Sequence, residues 1–172
     1  MLIVFGGLPG VGKTTIARDL ARRMGAVFLR IDSIESALRE SGRLAAGVED
    51  AGYRAACAVA EDNLRGGRIV IADCVNPLRL TRDAWRAVAA RAAAGILEVE
   101  VVCSDTAEHR RRVEERGTGS AGGTVTWEDV LKREYHPWDR PHLVVDTART
   151  SPADSVATLL RLADGGTRGA DS

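Results

Sequence analysis

Gly7-Leu8-Pro9-Gly10-Val11-Gly12-Lys13-Thr14 carries glycine, lysine and hydroxyl at the spacing G-x-x-x-x-G-K-[ST], directly after the apolar run Leu2-Ile3-Val4-Phe5. In such a loop successive backbone N–H groups turn inward around phosphate oxygens, and the helix that follows adds its positive end at the same point. Lys13 then reaches the β- and γ-phosphates, the Thr14 hydroxyl ligates Mg²⁺, and Thr15 completes the cradle. The chemistry implied is that of ATP with Mg²⁺. Lys13 and Lys132 are the only lysines among 24 basic residues, which makes the one in this loop conspicuous.

Two aspartates stand where an α/β sheet would aim them at that loop. Asp32 follows Phe28-Leu29-Arg30-Ile31, and ligands of doubly wound sheets bind at the carboxyl ends of strands. It has two readings: a carboxylate that orients an acceptor hydroxyl, or the N-cap of a helix beginning at Ser33. Asp73 ends Ile69-Val70-Ile71-Ala72 and has the form of a second carboxylate for the metal ion, held directly or through water. Asn76 either touches substrate or shapes the turn before Pro77.

Farther on, His109-Arg110-Arg111-Arg112-Val113-Glu114-Glu115-Arg116 is a basic cluster on an expected helix. Arg110 with Glu114 and Arg111 with Glu115 are ordinary i,i+4 pairs of a solvated face. Arg112 and Arg116 are like charges at the same spacing, an arrangement that an anion between them would explain. Gly117-Thr118-Gly119-Ser120-Ala121-Gly122-Gly123 follows, either a mobile flap or a connection without function. Trp85, Trp127, Trp138, His136 and His142 read as packing and turn residues, the last three in a segment over the final strand.

Apolar runs alternate with amphipathic stretches along the chain, the pattern of a parallel sheet covered by helices. Strands are expected near 2–6, 27–31, 68–73, 96–103 and 142–146. Helices are expected near 13–24, 33–41, 48–65, 80–94, 105–116, 126–134 and 152–163. Gly66-Gly67 and Gly95 are the expected left-handed helix ends.

The 172 residues fit one domain, expected to occupy 1–164 with a lid over about 105–125 and a frayed tail over 165–172. Lysine plus arginine equals aspartate plus glutamate, 24 each, which leaves a nucleic-acid partner without electrostatic support. No stretch is apolar for the ~20 residues a bilayer crossing needs, and Met1 to Leu8 lacks the marks of a leader. Cys57, Cys74 and Cys103 are odd in number and without metal-ligand spacing, as in a reduced cytoplasmic protein.

Across nearly its whole length the chain resembles the small P-loop kinases of the adenylate-kinase-like group, in particular the chloramphenicol phosphotransferase-like and AAA-type small-molecule kinase branch. Gly7 to Thr14, Asp32-Ser33, Arg112-x-x-x-Arg116-Gly117 and Leu143-Val144-Val145-Asp146-Thr147 carry the resemblance. It implies a three-layer α/β sandwich, a five-stranded parallel sheet in the order 2-3-1-4-5, and an arginine-bearing lid. It also implies that Arg112 lies on or near adenine, that Arg116 contacts the transferring phosphate, and that Asp32 is the catalytic carboxylate of a hydroxyl phosphotransferase.

The leading expectation is transfer of the γ-phosphoryl group of Mg²⁺-ATP to a hydroxyl of a metabolite or antibiotic. A nucleotide kinase is the second reading, with Arg39, Arg43, Arg54 and Arg79 as candidate holders of an acceptor phosphate. A kinase of RNA ends or aminoacyl-tRNA and a nucleotide-dependent switch ATPase are the remaining ones.

Overall fold

A computed structural model describes residues 1–42, 50–117 and 125–167. Five strands form one sheet in the order β2-β3-β1-β4-β5, every pairing parallel. They are β1 (Leu2–Gly6), β2 (Val27–Arg30), β3 (Val70–Asp73), β4 (Ile96–Val102) and β5 (Leu143–Asp146). The helices are α1 (Lys13–Met24), α2 (Ile31–Glu40), α3 (Ala51–Arg65), α4 (Arg79–Arg91), α5 (Thr106–Gly117), α6 (Trp127–Lys132) and α7 (Pro152–Thr167). This is the α/β P-loop kinase architecture with the expected strand order.

All five residues of β1 are buried, because the strand is central and covered on both faces. The alternation of strand side chains divides them between two cores. Ile3 and Phe5 meet Ile16 and Leu20 of α1, Val99 and Val101 of β4, and Leu159 of α7. Leu2 and Val4 meet Ala56 and Ala60 of α3, and Trp85 and Val88 of α4.

Parallel register then sets the site. Phe5 lies beside Asp73, and Asp73 beside Arg30, so the ends of β1, β3 and β2 stand in a row where β1 runs into the glycine loop.

Four sequence expectations about the fold are corrected by the structure. Helix α2 starts at Ile31 with Arg30 at the N-cap, so Asp32 lies inside the first turn and does not cap a helix beginning at Ser33. Parallel pairing holds β2 only as far as Arg30, which frees Ile31 to begin the helix. After α4 the left-handed residue is Ala93 (φ 49°), whereas Gly95 has no positive φ. The segment carrying His136 and Trp138 does not lid β5 alone but is fastened to the start of α4. The His136 N–H donates to the Pro77 carbonyl at 2.8 Å, and Trp138 lies against Gly6. Helix α7 runs to Thr167, beyond the expected helix end near 163 and domain end at 164; the rest of the expected tail and residues 118–123 of the glycine-rich stretch lie outside the described residues.

Arg82 of α4 does the fastening. It is fully buried, yet no described carboxylate pairs with it. Its guanidinium donates to the carbonyls of Asn76, Pro77, His136 and Pro137 at 2.7–3.1 Å. Its Cζ sits 4.3 Å from the centre of the Trp138 ring. Four carbonyl dipoles and an aromatic face solvate the cation in place of water.

Candidate active site

The loop after β1 is held in shape from two sides. Gly10 takes φ 87°, and a Cβ there would run into the Val113 side chain of α5 and come within 3.2 Å of His109. His109 is buried, its Nε2 donates to the Pro9 carbonyl at 2.7 Å, and the Trp127 ring meets it edge-on. On the other side the Thr147 hydroxyl lies 2.8 Å from the Val11 carbonyl, and it receives a bond from Arg112 at 2.9 Å. Helix α5 and the end of β5 therefore brace a loop whose own residues are mostly backbone.

Lys13 is almost wholly buried, and its Nζ donates to the Leu8 carbonyl at 2.8 Å. Burial pushes the ammonium down to about 8, against the pull of Asp73 and Asp32 and with a push from Arg116. Asp73 is shifted the opposite way: burial raises its carboxyl above the usual range, while the Thr14 hydroxyl and Lys13 draw it back. Its Oδ2 is buried without a hydrogen-bond partner. Arg30 reaches Asp32 at 3.2 Å and stands 4.0 Å from Asp73.

An orphaned carboxylate oxygen beside a threonine hydroxyl fits a hard divalent cation, which takes few protein ligands and completes its shell with phosphate and water. No group of three acidic, thiol or imidazole ligands is present among the described residues.

Two cavities flank Lys13 and Thr14. One, of about 340 Å³, is lined by Gly12, Thr15, Arg112, Thr147 and Pro152. The other, of about 830 Å³, is lined among others by Lys13, Thr14, Arg30, Asp32, Asp73 and Tyr53. Gly10 and Arg116 line both. The structure thus brings together all the catalytic and metal candidates read from sequence.

Arg112 departs from its expected isolation. It donates to Glu108 at 2.7 Å as well as to Thr147, so no anion is needed to explain its place. Arg116 lines both cavities and makes no ion pair with a described residue. Sequence reasoning missed Arg30 and His109. A charged residue closing the apolar run of β2 was the signal for the first. The spacing 109, 112, 113, 116 along one face of α5 was the signal for the second.

The sequence matches the AAA domain family over residues 2–134. The chain belongs to this family. An uncharacterized protein of Mycobacterium tuberculosis is 32% identical over 160 residues, covering 86% of this chain and 32% of that protein. The chain thus spans about a third of the length of that relative. Among solved structures, the APS kinase of Mycobacterium tuberculosis in complex with AMPPNP and APS superposes with a TM-score of 0.73 at 22% identity, covering 95% of this chain and 96% of that one. A gluconokinase from Sinorhizobium meliloti 1021 gives 0.65 at 18% identity, covering 98% and 96%. The fold is that of small P-loop kinases. No described helix is long and apolar enough to cross a membrane.

The lowered Lys13 value has a measurable consequence. Phosphates beside Nζ favour the charged form, so a nucleotide bound there would draw a proton onto Lys13 wherever the free lysine is partly neutral. Proton uptake is expected at about pH 8.5 and absent near pH 6.5, with affinity falling as pH rises past about 8. Calorimetric titrations in two buffers of different ionisation enthalpy check this; equal heats in both buffers at the higher pH would contradict it.

Proposed function

We propose that this protein transfers the γ-phosphoryl group of Mg²⁺-ATP to a hydroxyl of a small molecule. The observation that carries the proposal is that Gly10 and Arg116 line both cavities, with Lys13, Thr14, Asp32 and Asp73 on the larger one. A transferring phosphate belongs at such a boundary, between a nucleotide on one side and an acceptor on the other.

In this reading the smaller cavity takes the nucleoside, with Arg112 fixed at its wall by Glu108 and Thr147. Mg²⁺, held by Thr14 and Asp73, would supply charge neutralisation at the phosphates. Lys13 exchanges the Leu8 carbonyl for phosphate oxygens, and Arg116 faces the transferring group. Asp32 accepts the proton of the acceptor hydroxyl and aims its oxygen at phosphorus. Phosphoryl transfer asks chiefly for such positioning and neutralisation. Helix α5 braces the loop through His109 and carries Arg116 to the boundary of the two cavities; the lid expected over about 105–125 lies in part outside the described residues. The free state of Cys57, Cys74 and Cys103 suits a reducing cytoplasm.

The APS kinase structure holds an ATP analogue, which supports the nucleotide assignment. The test is thermal stabilisation by Mg²⁺-ATP. At a hundredfold excess over Kd, stabilisation of about 2.7 kcal/mol is expected for the wild type. Lys13→Ala should lose most of it, since no other lysine is near. Equal stabilisation of the two proteins would overturn the assignment.

A further inference from the structure

The larger cavity has a wall that phosphate chemistry does not explain. Asp32, Glu35, Ser36 and Arg39 recur at helical spacing along one face of α2, and all four line the cavity. The Glu35 side chain is only 21% exposed and lies on Gly52 of α3, where a Cβ would run into the Glu35 Cγ. Glycine inside a helix is unfavourable relative to alanine, yet here its missing side chain is what seats the carboxylate in the wall. Burial raises the Glu35 carboxyl above its ordinary value, with Arg39 pulling it back.

Two cations of this wall are engaged within it. Arg39 pairs with Glu35 at 3.0 Å and Arg30 with Asp32 at 3.2 Å. Arg79 pairs with Asp139 away from the cavity, and Arg54 does not line it; Arg43 lies outside the described residues. Lys13 and Arg116 face the phosphate side. That leaves Arg116, on the phosphate side, and Arg133, at the end of α6, as the lining arginines without an ion pair among the described residues, and the charge of Arg133 already acts on the Glu35 carboxyl, which it draws down. An acceptor bearing phosphate or carboxylate calls for free, forked cations. Alternating carboxylates and paired guanidiniums, with the Tyr53 ring beside them, instead match the alternating donors and acceptors of clustered hydroxyls.

Resting on the kinase reading above, we propose that Glu35 is an acceptor-binding residue and that the acceptor is a polyhydroxylated small molecule without an anionic group. Its hydroxyls bond Glu35 and Arg39, and one of them is presented to Asp32.

The test incubates the full chain with Mg²⁺-ATP and, separately, glucose, myo-inositol, glycerol, gluconate or AMP, and follows phosphorylated product. Transfer to one of the three uncharged compounds and not to gluconate or AMP is the expected result. Preferential transfer to gluconate or AMP would overturn this inference and leave the kinase reading intact. ADP formation with no phosphorylated product from any of the five would overturn both. With the accepted compound, Glu35→Gln should raise the acceptor KM by about tenfold or more, the loss of one charge-assisted bond. Stabilisation by Mg²⁺-ATP should stay at its wild-type value. Gly52→Ala disturbs the same carboxylate from the other helix with a residue that favours helix, and should raise the same KM. An unchanged acceptor KM in both variants would reduce Glu35 to a residue that seats α2 on α3.

Discussion

Asp32→Asn is expected to lower phosphotransfer by about 10²- to 10⁴-fold, the usual contribution of a positioned base, and to leave Mg²⁺-ATP stabilisation close to the wild-type value. The amide keeps the size of the carboxylate and an oxygen for Arg30, but it cannot take the acceptor proton. Asp32 is exposed, and its bond to Arg30 spans only two residues, so little folding energy rests on it. A carboxylate in the first turn of a helix contributes about 0.3–1 kcal/mol through the helix dipole. The melting temperature should therefore drop by no more than about 4 °C. Rate constant, melting temperature and nucleotide stabilisation, measured on one preparation, separate the roles. A joint collapse of all three would make Asp32 a stabiliser of α2 and nothing more.

Arg82→Ala should be the most damaging change outside the site. Removing the guanidinium strips Asn76, Pro77, His136 and Pro137 of a shared donor; the bond to Asn76 is buried, the other three are half-buried, and Pro77 keeps the His136 N–H. A buried orphan such as the Asn76 carbonyl costs about 1–3 kcal/mol, and the half-buried acceptors and the lost packing of the side chain add to it. A loss of about 3–5 kcal/mol is expected, which lowers the melting temperature by about 10 °C or more. Arg82→Lys keeps the charge but reaches fewer carbonyls and should fall between. Chemical denaturation of the three proteins checks the order. Wild-type stability in Arg82→Ala would show that the 134–138 segment holds itself in place.

Glycine spacing and continuous apolar runs made the loop, the central strands and the strand-end aspartates legible, because those features rest on local rules. Asp32 was placed correctly in space but assigned to the wrong helical position, since strand pairing ends one residue before the apolar run does. Ala93 rather than Gly95 is left-handed because α4 stops at Arg91, and the turn that closes it, with the Ala94 N–H on the Ala89 carbonyl, falls two residues before the glycine. Arg82 was invisible because its acceptors are main-chain carbonyls, two of them more than fifty residues away, and carbonyls leave no mark on composition. The Glu35–Gly52 contact likewise joins two helices whose pairing no spacing announces.

The phosphotransfer reading is tested most directly by following all phosphorus in one reaction. Phosphorus NMR would monitor the protein with Mg²⁺-ATP, first alone and then with each uncharged polyol in turn. The expected result is negligible ADP without acceptor, and then ADP and a phosphate monoester growing in equal amounts once the acceptor is present. ADP and inorganic phosphate growing together, at a rate indifferent to every hydroxyl compound added, would contradict it.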